Sequence, residues 1–237
     1  MTPRKALLVS VIVAIVLVVI VFNAAWEKSR ARTVEVTIPE GSTVSGINQK
    51  LAESGVFTAG LSLPESEEGY LFPDTYQFYI PSSEQIVEDR MILDFNRKVL
   101  PIIPPKSDLN RIITVASLIQ AEAKSYSDMK LVSDVIYKRL RAGMPLQIDA
   151  TICYIKKKMP CLPITRTDLK TDSPYNTYMN RGLPPAPIDN PGLNAIMAAI
   201  NPEKSPYWYY LSIPGSGKLV FASTLDEQNK NIVKYLK

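Results

Sequence analysis

The sequence has no histidine and only two cysteines in 237 residues. Without an imidazole, a Ser-His-Asp triad, a Cys-His dyad and a histidine-ligated zinc site are excluded, and Cys153 with Cys161 cannot supply a four-thiolate metal site. No metal site and no cofactor are expected. Acid/base work is left to carboxylates, lysine, tyrosine or cysteine. Excess charge is also lacking: the net value is only +4, and no Lys/Arg stripe is interleaved with aromatics. That argues against a nucleic-acid partner, while it suits an acidic polymer or a membrane surface. Internal repeats and low-complexity tracts are missing, and with 46% hydrophobic and 21% charged residues the chain is neither disordered nor a polytopic membrane protein.

One long apolar run is present. Ala6 to Phe22 carries no charge and is extended by Ala24, Ala25 and Trp26, close to the roughly 20 apolar residues that span a bilayer. A cleaved signal peptide is the competing reading, but the run exceeds the usual apolar region of about 7–15 residues. We expect a cytoplasmic tail over 1–5 and a single-pass anchor over 6–26 in the lipid bilayer, with the following domain exported from the cytoplasm. Arg4 and Lys5 before the run are matched by Lys28, Arg30 and Arg32 after it, so the orientation rests on the anchor's position in the chain rather than on charge bias.

Beyond the anchor, Val34, Val36 and Ile38 alternate and then break at Pro39-Glu40-Gly41, which predicts a strand and a turn. Ser42 can cap a helix with Val44, Ile47 and Leu51 on one face and Gly55 as its stop. Val87, Met91, Phe95 and Val99 predict an amphipathic helix ended by Pro101. Another helix begins at Ser107 or Asp108, and a third runs from Asp128 to a stop at Gly143. Asn190-Pro191 opens a short helix, Tyr207–Ile213 and Leu219–Ala222 read as a hairpin, and Thr224 with Glu227 forms a capping box for the last helix. The fold class is therefore α+β. Cys153 and Cys161 either close a small loop as a disulfide, which an exported location permits, or remain two thiols.

After Arg111 no ionisable residue follows until Glu122, and the intervening residues are apolar around most of the helix, so this helix is expected to be buried. Glu122 shares a face with Val115, Leu118 and Ile119. Loss of hydration there would raise its pKa, as a general acid near neutral pH requires. Periodicity alone leaves a second reading open, in which Glu122 is simply the first polar residue where the helix reaches solvent.

Several segments, in order along the chain, resemble the endolytic murein transglycosylases of the YceG-like family: Pro39-Glu40-Gly41-Ser42, EGYLFPDTYQF from Glu68, ASLIQAEA from Ala116, VIYKRLRAGMPLQIDAT from Val135, DLKTDSPYNTY from Asp168 and GLPPAPIDNPG from Gly182. The resemblance implies a truncated LysM-like βα module over 33–66 and a mixed α+β catalytic domain over 67–237. It also implies that Glu122, the last acidic residue of the family's A-S-I-V-E-K-E pattern, is the catalytic acid and base; Gln120 stands where the pattern has its earlier glutamate. Gln147, Asp149, Ser173, Tyr175, Asn176 and Tyr178 would line the substrate groove.

The activity so implied is endolytic cleavage of the β-1,4 bond between N-acetylmuramic acid and N-acetylglucosamine in nascent strands. It leaves 1,6-anhydro ends and terminates glycan elongation. Peptidoglycan glycan strands would be the substrate and cell-wall synthases candidate partners. Two rivals remain: a muramidase-type hydrolase, for which Asp149, Asp168 or Asp172 would supply the second carboxylate, and a noncatalytic membrane-tethered scaffold. The chain departs from the family in a short segment between Gly55 and Glu68, in Val220 and Gln228 where histidines are frequent, and in Ala186 where the pattern has glycine.

Overall fold

The computed structural model describes residues 15–20, 32–157 and 164–236. Of the expected anchor only 15–20 falls within them; it is helical (α1), with exposed apolar side chains, and the rest of 6–26 and the tail 1–5 lie outside the described residues. Among the described residues no helix is long and apolar enough to cross a membrane. The architecture is mixed α+β, helices with two small antiparallel sheets.

The first sheet pairs β1 (Thr33–Thr37) with β2 (Thr75–Tyr79), Val36 opposite Tyr76 and Val34 opposite Phe78. Alternation puts Val36, Tyr76 and Phe78 on the inner face, as the two-residue period of a strand requires. Helix α2 (Val44–Glu53) lays Val44, Ile47 and Leu51 into the same core. Its cap is Thr43, whose hydroxyl accepts from the Gly46 N–H; Ser42, the cap expected, turns its hydroxyl back to the Pro39 carbonyl. The first core extends to Val87 and Met91 on α3 (Glu84–Lys98). Each such fully buried aliphatic side chain contributes about 1.5–3 kcal/mol.

The second core is helical. Helix α4 (Leu109–Glu122) starts at Asp108, whose carboxylate accepts from the Arg111 N–H, and is buried without interruption from Ile112 to Ile119. It packs between α5 (Tyr126–Arg141), α6 (Asp149–Ile155) and α7 (Leu193–Ile200). Ala195, Ala198 and Ala199 on α7 present little side chain and so permit close approach of the backbones. Phe95 and Val99 carry α3 into this second core, which makes that helix the shared element of the two. The chain ends in the hairpin of β3 (Tyr209–Ser212) and β4 (Leu219–Ala222) and in α8 (Leu225–Leu236). The capping box forms: Glu227 N–H donates to the Thr224 hydroxyl, and its carboxylate accepts from the Ser223 N–H. Gln228 donates to the Tyr210 carbonyl and so fastens α8 to β3.

Candidate active site

Glu122 is the last residue of α4; the chain turns extended at Ala123, so the side chain leaves a helix end whose preceding turns are mostly apolar and buried from Ile112 to Ile119. It keeps intermediate surface exposure, while protein atoms surround the carboxyl itself. Loss of hydration, and then the charge of Asp149, hold its pKa up to about 7; a hydrogen bond from the Tyr210 hydroxyl and the positive charge of Arg139 pull the other way. A carboxyl so balanced can give up and take back a proton near neutrality.

Four elements converge on it. Arg139 lies on the buried side of α5, seven residues after Val132 and three after Ile136, where helical spacing would ordinarily place an apolar residue. Its Nε donates to the Trp208 carbonyl at 3.0 Å and an Nη to the Leu146 carbonyl at 2.6 Å, with the guanidinium 5.3 Å from the centre of the Tyr209 ring. One buried cation therefore pins both the entry to β3 and the loop before α6. Tyr210 on β3 brings its hydroxyl to Glu122, and its own pKa is raised by burial and by the neighbouring carboxylate. From the far side, the Tyr178 hydroxyl donates to an Asp149 carboxylate oxygen.

The expected groove residues divide by position. Asp149 and Tyr178 face Glu122 electrostatically. Gln147 is exposed and takes a positive φ of 54°, held by its N–H to the Thr177 carbonyl, while Ile148 N–H binds the Thr177 hydroxyl. Asn176 is fully buried: its amide donates to the Leu169 and Thr171 carbonyls and accepts from the Tyr178 N–H, so it organises the loop that carries Tyr175 and Tyr178. Ser173 and Tyr175 line a cavity of ≈ 350 Å³ with Tyr154 and residues of α2. Sequence reasoning did not single out Tyr210 or Arg139. For Arg139 the signal existed, a cation on an apolar helix face; for Tyr210 none did.

A second buried polar centre joins the two cores. Asn190 accepts from the Gly69 and Leu71 N–H groups and donates to the Ser42 carbonyl and to Glu68, so all four of its amide bonds are made. Glu68 also accepts from the Val44 N–H. Its carboxyl is pushed up to about 8, chiefly by burial, and Asp189 beside it is raised well above the usual range for the same reason. Gly69 is required here twice over: its φ is +94°, and a Cβ would lie 2.5 Å from Pro187. Ala186 has no positive φ, so alanine is sterically acceptable there. Cys153, buried on α6, is disulfide-bonded, and Cys161, the other cysteine of the chain, lies outside the described residues.

Fold and site together define a class: an α+β protein in which a single carboxyl, desolvated at a helix end and flanked by tyrosine, is poised for proton transfer. The chain belongs to the YceG-like family, whose profile matches residues 20–234. It is 41% identical over 175 residues to a protein of Bacillus subtilis (strain 168) named endolytic murein transglycosylase, a match covering 71% of this chain and 48% of that one. It is 33% identical over 177 residues to the protein of the same name from Streptococcus pneumoniae serotype 2 (strain D39), covering 71% of this chain and 32% of that one. The chain thus spans about half the length of the first relative and about a third of the second. A crystal structure of a yceG-like protein from Listeria monocytogenes superposes with a TM-score of 0.73 at 31% identity, over 83% of this chain and 75% of that one.

Proposed function

We propose that this chain is an endolytic lytic transglycosylase of peptidoglycan and that Glu122 is its acid and base. The supporting observation is the state of Glu122: a carboxyl held to about 7 by burial, with a tyrosine hydroxyl directing it. Protonated Glu122 donates to the bridging oxygen of the N-acetylmuramoyl-β-1,4-N-acetylglucosamine bond. As the C1–O bond breaks, positive charge develops at C1. The carboxylate then takes the proton of the muramoyl C6 hydroxyl, whose oxygen closes on C1. The products are a free 4-hydroxyl and a 1,6-anhydro end, and Glu122 regains its proton. One carboxyl serves both half-reactions because no water is activated, whereas most glycosidases need a pair.

Asp149 favours a second reading, hydrolysis, because its charge already acts on Glu122 and a second carboxylate is what a muramidase requires. The two separate by product mass. Nascent, uncrosslinked glycan digested with the detergent-solubilised protein should release fragments lacking the added water, with anhydro ends. Hydrated ends would replace the first reading by the second, and sacculus binding without any fragment would favour a noncatalytic scaffold.

The proposal extends to the setting. Residues 6–26 anchor the chain in the cell membrane with 1–5 cytoplasmic, 33–66 form a shortened LysM-like module and 67–237 the catalytic domain, working beside cell-wall synthases to end strand elongation. Protease added to intact spheroplasts should digest the domain; protection would reverse that orientation.

A further inference from the structure

One face of α3 has no partner among the described residues. The inner side of the helix gives Val87, Met91 and Phe95 to the two cores, while Ile86 and Leu93 stand outward with 54% and 44% of their surface exposed. Leu100, just past the helix end, is 43% exposed. These three aliphatic residues recur at intervals of seven, the spacing that aligns side chains in one stripe along a helix. With about 100° between successive residues, the exposed Asp89 and Asn96 fall on one side of the stripe and the exposed Arg90 and Arg97 on the other. A shallow groove of ≈ 470 Å³ follows it, lined by Thr75, Ile86, Asp89, Leu93 and Arg97. Among the described residues neither arginine enters a salt bridge. An apolar stripe with charge of opposite sign on its two flanks is the surface of a helix that meets another helix.

The flanking charges select the partner and its direction. If a second copy of α3 lies parallel, with the two-fold axis along the helices, Ile86, Leu93 and Leu100 each meet their own counterpart. Asp89 then comes beside Arg90 of the second copy, and Asn96 beside Arg97, each contact made twice by symmetry. An antiparallel copy instead sets the arginine flank against the arginine flank, and like charges oppose association. Topology agrees with the parallel choice. Strand β1 leads away from the proposed anchor, and β2 returns antiparallel to it until Tyr79 lies opposite Thr33. Helix α3 then leads away again, its far end tied by Lys98 to Asp74 at the start of β2. In two chains anchored in one bilayer α3 therefore points the same way. A seam from one helix is small beside the roughly 800 Å² per partner of a standard interface, so it draws on confinement of both chains to one membrane, which raises their effective concentration.

We infer that α3 is the seam of a parallel homodimer, in which Ile86, Leu93 and Leu100 of two chains meet on the two-fold axis and Asp89 pairs with Arg90 across it. The direction rests on the proposed anchor as well as on charge; nothing in it depends on the catalytic reading.

The test uses the full chain in isolated membranes. Ile86→Cys, Leu93→Cys and Leu100→Cys, all at exposed positions outside both cores, are oxidised and sized by nonreducing electrophoresis. Each should cross-link to its own copy and double the mass, while the unsubstituted chain and Lys230→Cys, exposed on α8, should not. Asp89→Arg replaces both ion pairs by like charges and should slow cross-linking of Leu93→Cys about tenfold, equivalent to about 1.4 kcal/mol; adding Arg90→Asp should restore it. In an antiparallel pair Ile86 lies about 21 Å from its counterpart, so cross-linking at Leu93 alone overturns the parallel seam. Absence of cross-links in chains that sediment with the membrane overturns the dimer and leaves the anchor standing. An adduct of any other mass overturns the second copy in favour of a foreign partner. Doubled mass at all three positions in chains recovered from the soluble fraction supports the seam and removes the anchor.

Discussion

Glu68 and Glu122 are both carboxyls that burial raises, to about 8 and about 7, and their surroundings differ. Glu68 sits where the two cores meet, its oxygens occupied by a backbone N–H and a side-chain amide, beside the more deeply buried Asp189. Glu122 stands at a helix end, with a tyrosine hydroxyl on it and Asp149 opposite. Desolvation raises both, so a raised pKa does not by itself mark a site of chemistry. The surroundings separate them: one carboxyl is locked into a joint, whereas the other keeps intermediate exposure and neighbours that can adjust its charge.

Substitutions can break that contrast. The largest effect is expected from Glu122→Gln, which keeps the shape but removes the transferable proton. Release of anhydro-ended fragments should fall by at least about 10²–10⁴-fold, the general range for lost acid/base catalysis, while Tm holds. Near-normal turnover would move the acid to another residue. Asn190→Ala should do the reverse. It strands the Gly69 and Leu71 N–H groups and uncouples Ser42 from Glu68, at a cost of about 1–3 kcal/mol for each buried group left unsatisfied. Denaturant unfolding should register a loss of about 3 kcal/mol or more in ΔG; a loss within error would mean that the joint is not a stabilising hub.

Glu68→Gln addresses pH. Glu68 binds its proton more tightly folded than unfolded, so stability is greatest below about pH 4.5 for this group and is lost as pH rises toward its folded value of about 8. Glutamine retains an acceptor at the oxygen shared by Val44 and Asn190 and cannot ionise. The fall in Tm between about pH 5 and pH 8 should therefore flatten in the variant, with Asp189 and Glu122 supplying the remaining slope. An unchanged slope would show that Glu68 does not carry the titration.

The smallest effect is a shift of profile. Tyr210→Phe removes a hydrogen bond that favours the Glu122 carboxylate, so the pH at which kcat/KM declines on the alkaline side should move upward. Asp149→Asn removes a charge that disfavours the carboxylate and should move it downward. Shifts of the same sign would contradict the electrostatic assignment.

Much of the helical framework was legible because its determinants are local. The largely apolar run from Ile112 to Ile119, the start at Asp108, the Thr224–Glu227 box and the stops at Gly55 and Gly143 depend on residues a few positions apart. Helix α6 was not singled out, since the seven residues of Asp149–Ile155 carry too little periodicity to distinguish a helix from a loop. Strand β2 alternates as clearly as β1, yet nothing local states that Thr75–Tyr79 pairs with Thr33–Thr37.

The sequence by itself determined the exclusions and the local order: no histidine or metal-thiolate chemistry, an apolar helix ending in one carboxyl, capped helices and a terminal hairpin. Those follow from composition and from contacts one or two turns apart. Only the tertiary structure decided that Arg139, Asp149 and Tyr210 surround Glu122, and that Asn190 ties Ser42 to Glu68. Those groups come from distant parts of the chain, and the charge state of a carboxyl depends on what folding brings within a few ångströms of it, not on its neighbours in sequence.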